Sequence, residues 1–170
     1  MIRLNIGSGQ RKFGSQDCRH GWINIDVNPK WEPDIVADGA HLPMYEDGTV
    51  DMIVLHHVLE HYGCGESAGL IEECHRILRP GGTLLVFVPD MWALAFGWLH
   101  GRVMTQIFMT AVYGAYMDHE ADRHRWGFDS VTIKKFLGPF GFRLKEFDWR
   151  DILGADLARD WWLMGIEATK

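Results

Sequence analysis

Two groups of titratable side chains have the residue types and the spacing that proton-transfer chemistry needs. The first group directly follows an apolar run and contains His56, His57, Glu60 and His61. The second lies late in a long apolar stretch and contains His119, Glu120, Asp122, His124 and Arg125. Imidazole and carboxylate groups are the usual general bases near neutral pH. A single histidine is more often a surface or packing residue, so we ask of each group whether at least one of its members acts as a base.

The second group can also be interpreted as a metal site. The imidazole and carboxylate donors of His119, Asp122 and His124 suit Mg²⁺, Mn²⁺ or Zn²⁺. Their spacing is too loose to define a site, and the three cysteines show no C-x-x-C pattern. We therefore predict no metal ligands. With no secretory signal at the N-terminus, we expect free thiols and a reducing, cytoplasmic location.

A glycine turn near the start of the chain indicates a nucleoside site. Gly7-Ser8-Gly9 follows the apolar run at residues 3–7, and Asp26 ends the next run at residues 22–26. In doubly wound α/β domains, a glycine turn after the first strand and an acid ending the second hold a nucleoside. Glycine lets the backbone approach the ligand, and the carboxylate accepts hydrogen bonds from ribose hydroxyls. The start of the chain therefore predicts a nucleoside-binding pocket.

Alternating strand and helix signals surround this pocket. Strands are predicted at residues 3–7, 22–26, 34–38, 50–55, 83–88, 142–149 and 161–168. Helical spacing of apolar residues predicts a helix around 70–78, and Asp129 is a suitable N-cap for another that ends near Leu137, with Gly141 as its C-cap. We predict an α/β, Rossmann-like, doubly wound and mostly parallel seven-stranded sheet with one antiparallel strand near its edge. All of it is expected to form a single domain, residues 1–170.

The first crossover disfavours a dinucleotide. A dinucleotide fingerprint needs a third glycine three residues after the second, and Lys12 occupies that position. The segment between the first two strands is also short for a helix whose N-terminus would hold a pyrophosphate. An NAD-dependent or nucleotide-sugar enzyme is therefore the less favoured interpretation.

Five sequence segments follow one another in residues 3–90: LNIGSG, NID, VADGAHLP, DMIVLHHVLEH and IEECHRILRPGGTLLVFVPD. In this order, and with RPGG before the fifth strand, they resemble the class I S-adenosylmethionine-dependent methyltransferases, in particular compact, type-11-like members. A weaker similarity continues through residues 124–142. The chain departs from the family in its short first crossover, in Ser8 and in its compact length.

The resemblance implies a site for S-adenosylmethionine, with S-adenosylhomocysteine as the product. The implied cofactor-binding residues are Gly7, Ser8, Gly9, Asp26, Val27, Asp38, Gly39, Ala40 and His56. The glycine turn and His56 would lie along the methionine part, Asp26 would bind the ribose hydroxyls, and Asp38 would bind the adenine amino group. All of them follow the carboxyl ends of predicted strands, where open α/β sheets bind ligands.

Methyl transfer from a sulfonium makes limited demands on the protein. The reaction is an in-line displacement, so holding the nucleophile and the methyl group in line supplies much of the rate. A hydroxyl or amine acceptor also benefits from a general base, which is worth about 10²–10⁴-fold. Because they lie beside the expected pocket, His57 and His124 are the predicted bases.

An aromatic-rich insertion follows the fifth predicted strand, at about residues 91–126. Its aromatic residues include Trp92, Phe96, Trp98, Phe108, Tyr113, Tyr116 and Trp126. These side chains could form a lid over the acceptor, pack as an extra helix pair, or form a homodimer interface. No uncharged run within the insertion reaches the ~18 residues of a membrane-spanning helix.

Composition limits the partners. The 170 residues carry a formal net charge of -6 at pH 7, which disfavours nucleic acid as the acceptor and broad binding to anionic membranes. By analogy with the family, we predict methyl transfer to an oxygen or nitrogen of a small molecule or glycan. The alternative is a non-catalytic S-adenosylmethionine-binding protein that regulates or scaffolds a partner enzyme.

Overall fold

A seven-stranded sheet organises the part of the chain that the computed structural model describes, residues 1–13, 21–63, 65–115, 120–147 and 162–170. The strands are β1 (Arg3–Ile6), β2 (Trp22–Asp26), β3 (Ile35–Val36), β4 (Val50–His56), β5 (Leu78–Pro89), β6 (Arg143–Phe147) and β7 (Leu163–Thr169). Their order across the sheet is β3-β2-β1-β4-β5-β7-β6. The doubly wound arrangement predicted from the sequence is therefore confirmed.

Strand directions also agree with the prediction. Strands β1 to β5 are mutually parallel wherever they pair. Strand β7 runs antiparallel to both β5 and β6, and it is the predicted reversed strand near the edge. The parallel register aligns the ends of β1, β2 and β4, because Ile6 pairs with both Ile25 and Leu55. The loops that leave these three strands therefore start at one edge of the sheet.

Alternate residues of the central strands fill two apolar layers. Leu4, Ile53 and Leu84 face the layer that also contains the buried side of the first long helix. Val54 and Phe87 face the opposite layer. Both faces of a parallel sheet are normally covered, and the continuous apolar runs of β4 and β5 reflect this.

Four α-helices and several short 3₁₀ turns connect the described strands. The helices are α1 (Glu66–Ile77), α2 (Met91–Leu99), α3 (Thr105–Tyr113) and α4 (Ser130–Leu137). The 3₁₀ turns are Pro29–Trp31, Leu59–His61, Glu120–Asp122 and Gly138–Phe140. Helices α2 and α3 form a pair within the predicted insertion, with the rings of Trp98 and Phe108 stacked 4.8 Å apart. None of the described helices is long and apolar enough to cross a membrane.

Two element boundaries differ from the predicted ones. Helix α1 ends at Ile77, and Leu78 already begins β5, whereas the sequence predicted a strand from residue 83. The pairing of β5 with β4 shifts its register here. Leu78 pairs with Val50, the next aligned pair is Met52 with Thr83, and residues 79–82 of β5 are not aligned with β4. Strand β3 is also shorter than predicted.

The end of α4 differs as well. Asp129 caps its N-terminus as predicted, because its side chain accepts hydrogen bonds from the amides of Val131 and Thr132. The helix, however, gives way to a 3₁₀ turn at Gly138, and Gly141, with φ of 85°, caps that turn instead of the α-helix. The end of the strand predicted at 142–149 and the middle of the first crossover, residues 14–20, lie outside the described residues.

Lys170 holds the junction of α1 and β5. Its Nζ donates to the backbone oxygens of His75 at 2.6 Å and Leu78 at 2.8 Å. A cation at a helix C-terminus satisfies carbonyl groups that have no partner within the helix and interacts favourably with the helix dipole.

Replacing this cation tests the junction. We expect Lys170→Met to lower the free energy of unfolding in urea by about 1 kcal/mol, because the carbonyl groups lose a charged donor. Lys145→Met, on the exposed side of β6, is the matched control and should change the value by less than about 0.5 kcal/mol. Equal effects of the two substitutions would contradict the capping role.

Candidate active site

The glycine turn closes tightly on the end of β2. The amides of Gly7 and Ser8 both donate to the backbone oxygen of Ile25, at 2.8 and 3.1 Å. Gly7 has a φ of 67°, and a Cβ there would lie 2.5 Å from Cγ2 of Val58. Only glycine fits this position without rearrangement, so the backbone itself forms the wall of the site.

Asp26 is fixed by the same turn. It is 8% exposed; its Oδ2 accepts from the Gly9 amide at 2.7 Å and its Oδ1 from the Asn28 amide at 2.8 Å. Each carboxylate oxygen can accept a further hydrogen bond. Asp26 is therefore a pre-oriented acceptor at the end of β2, as a ribose site requires.

Asp38 forms the next acceptor along this edge. Its Oδ1 accepts from the Ala40 amide at 2.9 Å and from the Tyr62 hydroxyl at 2.7 Å. Burial, followed by this hydrogen bond to Asp38, raises the pKa of Tyr62, so the phenol remains a donor. Tyr62 follows the Leu59–His61 turn, and its partnership with Asp38 was not predicted from the sequence.

A cavity of about 590 Å³ connects these groups. Seven of the nine predicted cofactor-binding residues line it: Gly7, Gly9, Asp26, Val27, Asp38, Gly39 and Ala40. Gly39 allows the close packing of this wall, because a Cβ there would collide with Ile6 and would touch Leu70 at 3.1 Å. Trp31 also lines the cavity, and sequence reasoning missed it, because only the fold brings its turn to this edge.

The other two predicted cofactor residues, Ser8 and His56, do not line the cavity within the described part of the chain. Ser8 is buried, and its Oγ has no hydrogen-bond partner among the described residues. His56 lies against Arg11, with 3.1 Å between its Nε2 and Nη1 of the guanidinium. Since a guanidinium can only donate, Nε2 of His56 is the acceptor and its ring is neutral.

A second cavity of about 520 Å³ adjoins the first. The two cavities share four lining residues: Trp31, His57, His61 and Asp122. The far wall of the second cavity comes from α3, through Gln106, Ile107, Thr110 and Ala111, and also includes His124. The arrangement can hold one ligand in each cavity, with imidazole groups between them.

His57 lies at this shared wall in a strained backbone conformation. Its φ is 55°, a region that residues other than glycine rarely adopt, and such strain is concentrated at functional sites. Its Nδ1 is 2.9 Å from Oε1 of Glu60, whose side chain is almost completely buried. A carboxylate can only accept, so Nδ1 is the donor and Nε2 is the ring nitrogen left for another partner.

Glu60 is ionised although it is buried. Burial by itself would raise the pKa of Glu60, but the hydrogen bond from His57 and the interactions with the three neighbouring imidazoles together lower it further than burial raises it. The sequence placed both His57 and Glu60 among its candidates but did not predict this pair. Their separation of three positions was the signal that could have found it.

His124, the second predicted base, lines only the second cavity. Its Nδ1 is 2.8 Å from the backbone oxygen of Ala111, so Nδ1 donates and Nε2 is unprotonated. Burial lowers the pKa of His124, which favours the neutral ring. Its ring lies 4.6 Å from that of His61, whereas His119, from the same sequence group, lies outside the described residues.

Comparison with known proteins agrees with this geometry. Residues 5–86 match the family model described as "Methyltransferase domain". A Mycolicibacterium smegmatis protein described as a "probable S-adenosylmethionine-dependent methyltransferase" is 43% identical over 51 residues, which is 30% of this chain and 19% of that protein. This match therefore spans about a fifth of the relative's length.

Solved structures share the fold over nearly the whole chain. A SAM-dependent methyltransferase from Archaeoglobus fulgidus is 16% identical, with a TM-score of 0.64 and coverage of 99% of this chain and 86% of that one. One from Methanosarcina mazei is 19% identical, with the same TM-score and coverage of 99% and 92%. The Burkholderia thailandensis 1,6-didemethyltoxoflavin-N1-methyltransferase, solved with S-adenosylhomocysteine, is 13% identical, with a TM-score of 0.61 and coverage of 99% and 70%.

The glycine turn, the two strand-end acids and the seven-stranded sheet define a nucleoside-binding α/β fold with a second cavity for another ligand. Together with the match to the methyltransferase model over residues 5–86, they make the chain similar to the class I S-adenosylmethionine-dependent methyltransferases. The Mycolicibacterium smegmatis relative and the Archaeoglobus fulgidus and Methanosarcina mazei structures are named as S-adenosylmethionine-dependent methyltransferases.

The environment of His56 makes the stability of the fold depend on pH. Burial, followed by the charges of His57 and Arg11, lowers the pKa of His56 to about 3. In the unfolded chain a histidine has a pKa of about 6.5. Below that pH the unfolded chain binds a proton that the folded chain does not, so stability falls as the pH drops from about 6.5 towards 3.

We expect His56→Gln to reduce this loss of stability, because glutamine can accept from Arg11 and does not titrate. The difference from wild type should grow by at most about 1.4 kcal/mol per pH unit below pH 6.5. Urea unfolding at a series of pH values measures it, with the exposed His41→Gln as the matched control. Parallel curves for wild type and His56→Gln would contradict the assignment.

Proposed function

We propose that this chain transfers a methyl group from S-adenosylmethionine to an oxygen or nitrogen of a small molecule or glycan. The observation that carries the proposal is the shared wall between the two cavities. Asp26 and Asp38 line the first cavity only, His57 lines both, and α3 lines the second only. A nucleoside held by the two acids therefore has His57 between itself and a ligand in the second cavity.

The residues present fit the cofactor. Asp26 has free acceptor capacity for ribose hydroxyls, and Gly7 and Gly39 line the cavity at positions where a Cβ would collide with Val58 or Ile6. Asp38 and Ala40 line the same cavity and offer polar groups to an adenine edge. S-adenosylmethionine, when bound, supplies a methyl group that is already activated on a sulfonium. The protein contributes binding, alignment and proton removal.

His57 is the base that the geometry favours over His124. Its Nδ1–H is held by Glu60, so its Nε2 is the group free to take a proton from an acceptor hydroxyl or amine. The buried carboxylate also stabilises the imidazolium that forms, in the same way as the acid of a hydrolase triad. His124 lacks a carboxylate partner in such a bond, because its Nδ1 donates to a backbone oxygen.

Asp122 supports a hydroxyl or amine acceptor. It lies in the shared wall, and its Oδ2 is buried without a hydrogen-bond partner among the described residues. A buried acceptor without a donor costs free energy that a ligand O–H or N–H would recover. The second cavity has the volume of a small-molecule site, and the Burkholderia neighbour, named as an N1-methyltransferase, is solved with 1,6-didemethyltoxoflavin.

The alternative, a non-catalytic S-adenosylmethionine-binding regulator, predicts no acceptor cavity beside the cofactor, so the second cavity disfavours it. We extend the proposal to the insertion: α3 covers the acceptor as a lid. A homodimer interface on the same helix pair and a cytoplasmic location stay predictions, as does a single domain over residues 1–170.

The cofactor assignment can be tested by calorimetry with S-adenosylmethionine, S-adenosylhomocysteine and NAD. We expect both sulfur nucleosides to bind and NAD not to. Asp26→Asn should weaken the binding about 10–100-fold, because the ribose hydroxyls lose a charged acceptor. The exposed Asp47→Asn is the matched control. Binding of NAD instead, or unchanged affinity in Asp26→Asn, would contradict the assignment.

Testing His57 as the general base requires a methyl-transfer reaction whose rate can be measured. With a panel of small hydroxyl and amine acceptors, release of S-adenosylhomocysteine identifies a usable substrate. For that substrate we expect His57→Gln to lower kcat about 10²–10⁴-fold while the affinity for S-adenosylhomocysteine stays unchanged. His41→Gln should retain the wild-type kcat. An unaltered kcat in His57→Gln would exclude it as the base.

A further inference from the structure

Three ligand-type atoms converge behind the shared wall. A carboxylate oxygen of Glu60 and one ring nitrogen from each of His61 and His124 lie within 4.8 Å of one another. The three residues come from distant parts of the sequence. The 3₁₀ turn after β4 carries the first two, and the segment after the Glu120–Asp122 turn carries the third.

Backbone carbonyls fix one ring nitrogen of each histidine. Nδ1 of His61 is 3.2 Å from the backbone oxygen of Arg123, and Nδ1 of His124 is 2.8 Å from that of Ala111. A carbonyl oxygen can only accept, so each Nδ1 donates and each Nε2 is the ring nitrogen left to bind a cation. A backbone carbonyl on the remote nitrogen is the usual second-shell partner of a metal-bound histidine.

Glu60 supplies the negative ligand. Its side chain is almost completely buried; its Oε1 accepts from His57, whereas its Oε2 has no hydrogen-bond partner among the described residues. An unsatisfied buried carboxylate oxygen is costly, and a cation is the partner that offsets this cost most fully. This oxygen is therefore an independent sign of a missing ligand.

Backbone hydrogen bonds hold the two segments together. The Glu60 carbonyl accepts from the amides of Arg125 at 2.8 Å and Trp126 at 3.1 Å, and the His124 amide donates to Tyr113 at 3.1 Å. The donor atoms are thus positioned by the fold before any cation binds. Such preorganisation is what a selective site requires.

We propose that Glu60, His61 and His124 bind a divalent cation of the Zn²⁺ type. Two imidazoles and one carboxylate are a known catalytic zinc set, which leaves a coordination position for a further ligand. His61 lines both cavities and His124 lines the second, so the site adjoins the acceptor cavity. A cation there would polarise an acceptor oxygen next to His57.

This site replaces the one weighed from the sequence. His119, Asp122 and His124 shared one short segment, and their spacing led us to predict no metal ligands. The proposed set keeps His124 and takes its other two donors from the turn after β4, a combination that sequence spacing does not reveal.

Metal binding can be measured without a methyl acceptor. Untagged protein, stripped of metal with a chelator, is titrated with Co²⁺ and followed by its visible d–d absorption, and then with Zn²⁺ by calorimetry. We expect a single saturable site, with Zn²⁺ displacing Co²⁺. His61→Gln, His124→Gln and Glu60→Gln should each weaken Zn²⁺ binding by more than about 100-fold, which exceeds the effect of losing a second-shell partner.

Two controls make the result decisive. His100→Gln, an exposed histidine of the insertion, should bind Zn²⁺ as the wild type does, and urea unfolding should show that all variants fold. His57→Gln alters only a partner of Glu60 and should weaken Zn²⁺ binding by no more than about 100-fold, which separates this proposal from that of the base. Absence of saturable binding, or equal binding in the ligand variants, would overturn the proposal and leave the proposed methyl transfer unaffected.

Discussion

The ionised carboxylate of Glu60, buried at the end of β4, is the constraint on which the site depends. A charge removed from water needs polar partners, and here the side chain of His57 donates to it while the imidazoles of His61 and His124 lie close by. The backbone of the same residue binds the segment at Arg125 and Trp126. One residue thus orients the side chain of His57 and holds the segment at Arg125 and Trp126 against the turn after β4.

The sheet places this centre where a nucleoside can reach it. Parallel pairing aligns the ends of β1, β2 and β4, so the glycine turn, Asp26 and His57 leave neighbouring strands at one edge. These three groups differ in chemistry, but all of them lie at the same edge because β1, β2 and β4 are neighbours in the sheet. The antiparallel β7 extends the sheet beyond β5. It does not change the edge at which β1, β2 and β4 end.

Much of the fold and of the cofactor cavity was predictable because the signals are local. A glycine turn follows its strand directly, and Asp26 and Asp38 end apolar runs, so seven of the nine predicted residues line the cavity. His56 fits the same local pattern, but its ring packs against Arg11, and only tertiary structure decides which way a strand-end side chain points. The pairing of His61 with His124 joins segments far apart in sequence, which no spacing rule detects. The register shift in β5 is likewise a property of two paired strands.

The left-handed backbone of His57 has a consequence for evolution and engineering. That conformation costs a non-glycine residue about 1 kcal/mol or more, and asparagine or glycine would adopt it more readily. Variants selected for heat resistance alone would therefore tend to accumulate substitutions here and lose the imidazole between the cavities. The strained backbone lowers the stability of the fold and keeps the imidazole of His57 in the wall of both cavities. At this position, a substitution that stabilises the protein would remove a side chain of the site.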